Sequence, residues 1–245
     1  MTLEPMPETW TRALAVVAHP DDLEYGAASA IARWTADGRS VAYVIVTDGE
    51  AGIDAIPPAE AAVLRQKEQL VSAAVVGVDD VSFLHHRDGV VEYGLALRRD
   101  LTRHIRRVRP DILLTASPEL TVGMGDGPRF LNQADHRAVG LAVLDAARDA
   151  GNRWIFPELL DEDSQPWAGV TDVYLMGANQ PSHGVEVTGT LSAGVDSLRA
   201  HRAYLDGLGR DFDPEQFLRA VTADAGRALG VEHAIAIERI RLQGV

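Results

Sequence analysis

The chain predicts an α/β fold, a Rossmann-like and mostly parallel sheet flanked by helices, with its active site at the C-terminal ends of the strands. Two observations carry this reading. Short apolar runs of strand length alternate with helical patterns through the first half of the chain, which is the signature of βαβ units. The 245 residues, 46% hydrophobic and 24% charged, suit one large domain with a sizeable core.

The elements follow in order. Residues 1–12 are acidic with two prolines and read as an N-terminal tail, leaving residues 13–245 as a single domain. Residues 13–18 (ALAVVA) form a continuous apolar run, as expected of a parallel strand buried on both faces. A helical pattern over 23–37 closes at Gly38, and the β-branched run 41–47 (VAYVIVT) is a second strand. A helix over 58–76 stops at Gly77. A short strand is predicted at 81–84, a helix at 95–108, a strand at 112–115 and a helix at 134–150. The second half is less regular. Residues 154–169 read largely as loop, 172–176 and 185–187 as strands, and 191–208 and 214–229 as helices.

The charge balance excludes several functions. Acidic residues number 36 against 23 basic, for a net charge of −13. Such a surface repels nucleic-acid phosphates and anionic lipids, so neither is an expected partner. The basic run 103–109 falls at the end of a helix, where positive charge suits the dipole, and reads as a solvated face. The absence of cysteine removes disulfides, thiolate zinc sites and a Cys nucleophile. The N-terminus lacks the pattern of a signal peptide, and no apolar run approaches the roughly 18 residues of a membrane span. The expectation is a cytoplasmic protein acting on a small molecule, with homo-oligomer formation left open.

The chemistry concentrates at two junctions. His19-Pro20-Asp21-Asp22 follows the first strand and places one imidazole and two carboxylates within four positions. Carboxylates resist crowding and burial without a counter-charge, and a divalent cation supplies one. His19 and one Asp can ligate it while the other Asp handles a proton. Spacing does not decide which Asp does which, and the same residues fit an acidic helix start. The second junction is Asp135-His136, after the glycine-rich loop 123–127. A His/Asp/His set with open positions is a catalytic zinc pattern, although locally the pair reads equally well as a capping Asp beside an exposed His.

Together with Thr47-Asp48-Gly49-Glu50, Arg65 and Glu68, Arg109-Pro110-Asp111 and Asp135-His136-Arg137-Ala138, this order of motifs resembles the LmbE-like or PIG-L-like deacetylases. The resemblance spans residues 13–140 and continues weakly to 198–201 (LRAH). It implies one Zn2+ per chain held by His19, Asp22 and His136, with Asp21 as general base. The implied reaction is attack of metal-activated water on the N-acyl amide of a sugar-like substrate. The resemblance places Arg65 to anchor the substrate or the departing carboxylate, while Asp48, at the second strand's end, reads equally as orienting the loop or a ligand and as part of an Asp48-Gly49 turn. One departure stands out: the family's His-Pro-Asp-His reads here Gln133-Ala134-Asp135-His136. Gln133 donates a hydrogen bond but transfers no proton at neutral pH.

Two other readings compete. His19-x-Asp21 with His136 formally fits the facial triad of non-haem iron oxygenases, which the βαβ pattern argues against. A catalytically idle metal- or sugar-binding protein is the second, and Gln133 gives it some support. A nicotinamide-binding enzyme is disfavoured because no Gly-x-Gly-x-x-Gly follows the first strand.

Overall fold

A computed structural model describes residues 2–123, 128–162, 164–209 and 211–242; positions 124–127 of the glycine-rich loop lie outside the described residues. Along the first half run β1 (Glu4–Pro5), β2 (Arg12–Val17), α1 (Asp22–Gly26), α2 (Ala28–Ala36), β3 (Ser40–Thr47), α3 (Pro58–Val75), β4 (Val81–His86), α4 (Leu95–Val108) and β5 (Ile112–Ala116). A two-stranded ribbon follows, β6 (Thr121–Val122) with β7 (Phe130–Leu131), and then α5 (Ala134–Asp149). The second half holds β8 (Asp172–Met176), β9 (His183–Glu186), α6 (Leu191–Arg199), α7 (Arg202–Gly207), α8 (Pro214–Leu229) and β10 (Ala234–Arg241).

The eight-stranded sheet has the order β1-β9-β10-β8-β5-β2-β3-β4. Strands β8, β5, β2, β3 and β4 are parallel, and β10 is antiparallel to both neighbours. Strands β2 and β3 are buried along nearly their whole length, because helices cover both faces and polar side chains have no solvated side to occupy. Two apolar clusters result, one on each face of the sheet. From β2 the chain moves outward to β3 and β4, then crosses back to β5 on the other side of β2. The carboxyl ends of β2 and β5 therefore flank a switch point, where open α/β sheets form a crevice. Asp111 helps align these two strands, since its Oδ2 accepts from the Thr11 and Arg12 backbone N–H groups at 2.8 and 2.9 Å.

Several expectations change. The segment read as an N-terminal tail is packed: Leu3, Met6 and Trp10 are buried, and Glu4–Pro5 pairs with β9. Trp10 meets Trp34 edge-on at 5.1 Å, and Glu8 accepts from the Trp34 indole at 3.1 Å. The helix expected over 23–37 breaks at Ala27, and that over 191–208 breaks at His201. Residues Pro157–Glu162 form a 3-10 turn within the expected loop. The basic run is not wholly solvated. Arg106 is buried and donates to the Ala150, Asn152 and Ile155 carbonyls at 3.2, 2.9 and 3.0 Å, beyond the α5 C-terminus. Among the described residues, no helix is long and apolar enough to cross a membrane.

Candidate active site

The residues at the strand ends meet in the crevice. His19 leaves β2, and the chain turns sharply at Asp21, whose φ of 90° is left-handed and unusual for a residue with a Cβ. Such strain persists only where surroundings hold it. Here the Asp21 N–H donates to Gln69 Oε1 at 2.9 Å, and Arg65 Nη2 donates to Asp21 Oδ2 at 2.9 Å and also to the Pro20 carbonyl. Asp22 opens α1, and its Oδ2 accepts from the His19 backbone N–H at 2.9 Å. His136 arrives from the first turn of α5. Gly140, one turn further on, packs so closely on the Ala116 carbonyl that a Cβ would collide with it, so the glycine lets the helix approach the end of β5.

Three donor atoms converge. His136 Nε2 lies 3.0 Å from Asp22 Oδ1 and 3.3 Å from His19 Nδ1, and His19 Nδ1 lies 3.5 Å from Asp22 Oδ2. The outer nitrogens settle the tautomers. Asn132 Nδ2 donates to the Ser117 and Glu119 carbonyls, which turns Asn132 Oδ1 toward His136 Nδ1 at 3.1 Å. A carbonyl oxygen only accepts, so Nδ1 carries the proton and Nε2 the lone pair. His19 Nε2 in turn faces Asp88 Oδ1 at 3.1 Å and Asp135 Oδ2 at 3.3 Å, leaving its Nδ1 lone pair directed inward. Two imidazole lone pairs and a carboxylate thus point at one another. That arrangement repels itself unless a cation or an additional proton sits among them. Two nitrogens and one oxygen, each outer nitrogen hydrogen-bonded to an acceptor, fit the donor set and supporting contacts of zinc.

A second grouping, His19 with Asp88 and Asp135, is also close enough to bind an ion. Its imidazole atom is the protonated one, and Asp135 already accepts from the Gly89 and Val91 N–H groups at 2.7 and 3.1 Å. It serves to orient His19. Burial would raise the Asp135 and Asp88 carboxyls, but His19 and the backbone donors outweigh it and hold both low. Locally Asp135 resembles a helix cap. Only its place beneath His19 reveals this contact, so Asp135→Asn is expected to weaken metal affinity about 10–100-fold, measured by competition with a chromophoric chelator. Affinity unchanged in that variant would show the contact to be incidental.

Electrostatics separate the two neighbouring carboxylates. Burial pushes the Asp21 carboxyl up to about 7 against the pull of Arg65, and Asp22 and Glu24 add to the rise. Burial also raises Asp22, but His136 and His19 overcome it and hold that group well below the usual range. In His19 and His136 burial lowers the pKa and the attraction of Asp22 more than reverses it, so protons compete for the cluster.

A buried polar network supports Asp21 from behind. Gln69 Nε2 donates to Glu24 Oε1 at 2.9 Å, and Ser72 Oγ donates to the same oxygen. His201 Nε2 stands 3.6 Å from Glu24 Oε2, and both side chains are fully buried. Burial alone would raise Glu24 and lower His201, but their attraction outweighs it and favours the charged pair. Sequence reasoning missed Glu24 and Gln69, which look like ordinary helix positions. His201 was visible only as a motif fragment.

The remaining sequence candidates divide. Arg65 is buried and stacks 4.2 Å above the Tyr204 ring, committed to Asp21 and Pro20. Gln133 is the N-cap residue of α5 and lines the cavity. Asp48 does not reach the cavity lining; it accepts from Gln66 Nε2 at 2.8 Å and pairs with His85 Nδ1 at 2.9 Å.

Residues 14–147 match the family described as GlcNAc-PI de-N-acetylase, PIG-L. The diacetylchitobiose deacetylase of Thermococcus kodakarensis is 25% identical over 230 residues, covering 91% of this chain and 80% of that protein. A 1D-myo-inositol 2-acetamido-2-deoxy-alpha-D-glucopyranoside deacetylase of Kineococcus radiotolerans is 30% identical over 174 residues, covering 57% of this chain and 48% of that protein. Among solved structures, the N,N'-diacetylchitobiose deacetylase of Pyrococcus horikoshii superimposes with a TM-score of 0.85 at 25% identity, over 95% of this chain and 85% of that one. With more than half of its residues matched in order, the chain belongs to the PIG-L family of zinc-dependent de-N-acetylases, enzymes that hydrolyse a carbon–nitrogen bond.

Proposed function

We propose that this protein removes an N-acetyl group from an amino-sugar substrate, with His19, Asp22 and His136 holding one zinc ion and Asp21 acting as general base. The observation that carries this reading is the convergence of three lone-pair atoms beside a buried carboxylate whose pKa lies near neutrality. The named substrates of the relatives, diacetylchitobiose and a glucosaminyl inositol, supply the class of the acylated sugar. When bound, zinc lowers the pKa of a water molecule and polarises the amide carbonyl.

The chain's own residues do the rest. Asp21 takes the proton of the attacking water and returns it to the departing amine, a double role favoured by the burial that pushes its carboxyl above the ordinary range. Arg65 holds the Asp21 carboxylate in place, and the Gln69–Glu24 network fixes its backbone. Gln133 offers its side-chain N–H to the carbonyl oxygen as negative charge develops there. The decisive test is release of free amine from N-acetylglucosaminides by zinc-loaded protein. Oxygen consumption with Fe(II) and no amine release would favour the oxygenase reading instead.

Gln133→His restores the family's residue. Its expected effect is a rise in rate on a simple N-acetyl sugar of at most the 10²–10⁴-fold of one general acid. A new group near pH 6.5 would enter the pH profile. Rate and profile both unchanged would place Gln133 outside the reacting centre.

A further inference from the structure

The metal-ligand cluster occupies only one end of a much larger cavity. Its volume is about 1020 Å³, at the upper end of what small-ligand sites span. From the β2 end it continues past the ends of β5 and β8 to the start of β10 and the flank of α8. At the ordinary spacing of strands, the three steps from β2 to β10 make an arm of about 14 Å.

The two ends differ in chemistry. Near the cluster the walls are His, Asp, Asn and Gln. Along the arm they are chiefly apolar, Met176, Ala178, Phe217, Leu218, Val221 and Ile235, with Thr222 and Asp224 of α8 beside them. Phe130 of the β6–β7 ribbon also lines the cavity while remaining 65% exposed, an aromatic ring left at the rim. Charge is equally uneven. Among the described lining residues the only Arg or Lys is Arg65, which is spent on Asp21, while Asp88 faces His19 and Asp224 is paired with Arg227. No free cation among the described lining residues is therefore in place to receive a carboxylate or phosphate on the substrate.

We propose that the part of the substrate extending from the reacting amide is neutral and apolar, a ring or chain of several carbons, and that it lies along this arm. The inference rests on the deacetylase reading for the position of the amide. The apolar portion can be carried either as the aglycone of the sugar or as the N-acyl chain, and the two sources separate experimentally.

Amine release is measured for N-acetylglucosaminides bearing methyl, hexyl or carboxypentyl aglycones, and for glucosamine bearing N-acetyl or N-hexanoyl groups. Burying apolar carbon should raise kcat/KM two- to fourfold per methylene. At least a tenfold gain is expected from methyl to hexyl or from acetyl to hexanoyl, and the series that gains identifies the source. The carboxypentyl compound should do no better than the methyl one. Val221→Asp, at a partly exposed position of α8 tolerant of polarity, should drive the long-to-short ratio toward one. Flat rates in both series, a preference for the carboxylate, or a ratio unchanged in Val221→Asp would each overturn the proposal. If no amide is cleaved, the deacetylase reading fails separately. Calorimetric binding of hexyl against methyl glucoside then decides the arm, with equal affinities counting against it.

Discussion

Asp21→Asn is expected to lose about 10²–10⁴-fold in kcat while retaining its metal, because Asn preserves the shape of the side chain but cannot accept a proton. Its amide oxygen can still receive Arg65, yet the buried guanidinium loses its counter-charge. Breaking a buried ion pair costs about 3–5 kcal/mol, so the thermal midpoint should fall as well. Metal content and kcat, measured on the same preparation, separate the two consequences. Hydrolysis requires the ionised carboxylate, so activity is present above its pKa and lost as pH falls through it. Burial pushes that value up to about 7, and the positive charge of zinc would pull it down, so the acid limb should lie at or below pH 7. Residual activity in Asp21→Asn should lack that limb. Loss of zinc from Asp21→Asn, with Asp22→Asn retaining it, would exchange the roles assigned to the two carboxylates.

His136→Ala is expected to leave the dialysed protein with little zinc and with activity no greater than that of the chelated wild type. Two ligands remain, and His19 then faces Asp22 without the nitrogen that completes the set. Binding to the folded state alone raises stability by mass action. Added zinc should therefore raise the thermal midpoint of metal-stripped wild type and leave that of His136→Ala nearly unchanged. Protons compete with the metal here, since the attraction of Asp22 raises the pKa of both imidazoles. Zinc affinity should accordingly fall as pH drops. Stoichiometric zinc in His136→Ala would remove this residue from the site.

Much of the fold and part of the site were legible in the chain itself. Continuous apolar runs announced β2, β3, β5 and β8, because strands buried on both faces admit little else. Helices α3, α4, α5 and α8 matched their periodicity and stop signals closely. His19, His136 and one of the two aspartates stood out because ionisable groups at strand ends need a partner; that Asp22 is the third member was implied by the resemblance alone, and the fold brings His19, Asp22 and His136 together.

What the chain alone left undecided depends on contacts distant in sequence. Residues 234–241 (AIAIERIR) are not among the strands read from the sequence, and their insertion antiparallel between β8 and β9 follows from pairing across the sheet. His201 interrupts an otherwise helical run with no Gly or Pro to mark the place, and its side chain meets Glu24, 177 positions earlier in the chain, in the interior. Asp135 looked like a cap, and Asp88 drew no notice; both become supports for His19 only when α5 and the β4 end pack against β2. Arg65 resembled a free substrate anchor until burial tied it to Asp21. Local sequence determines which residues can enter a strand, a turn or a metal cluster, because those preferences act over a few positions. Which charges neutralise one another is decided only by the tertiary structure, since burial gives an unpaired charge so high a cost that each must find its counterpart wherever the chain has placed it.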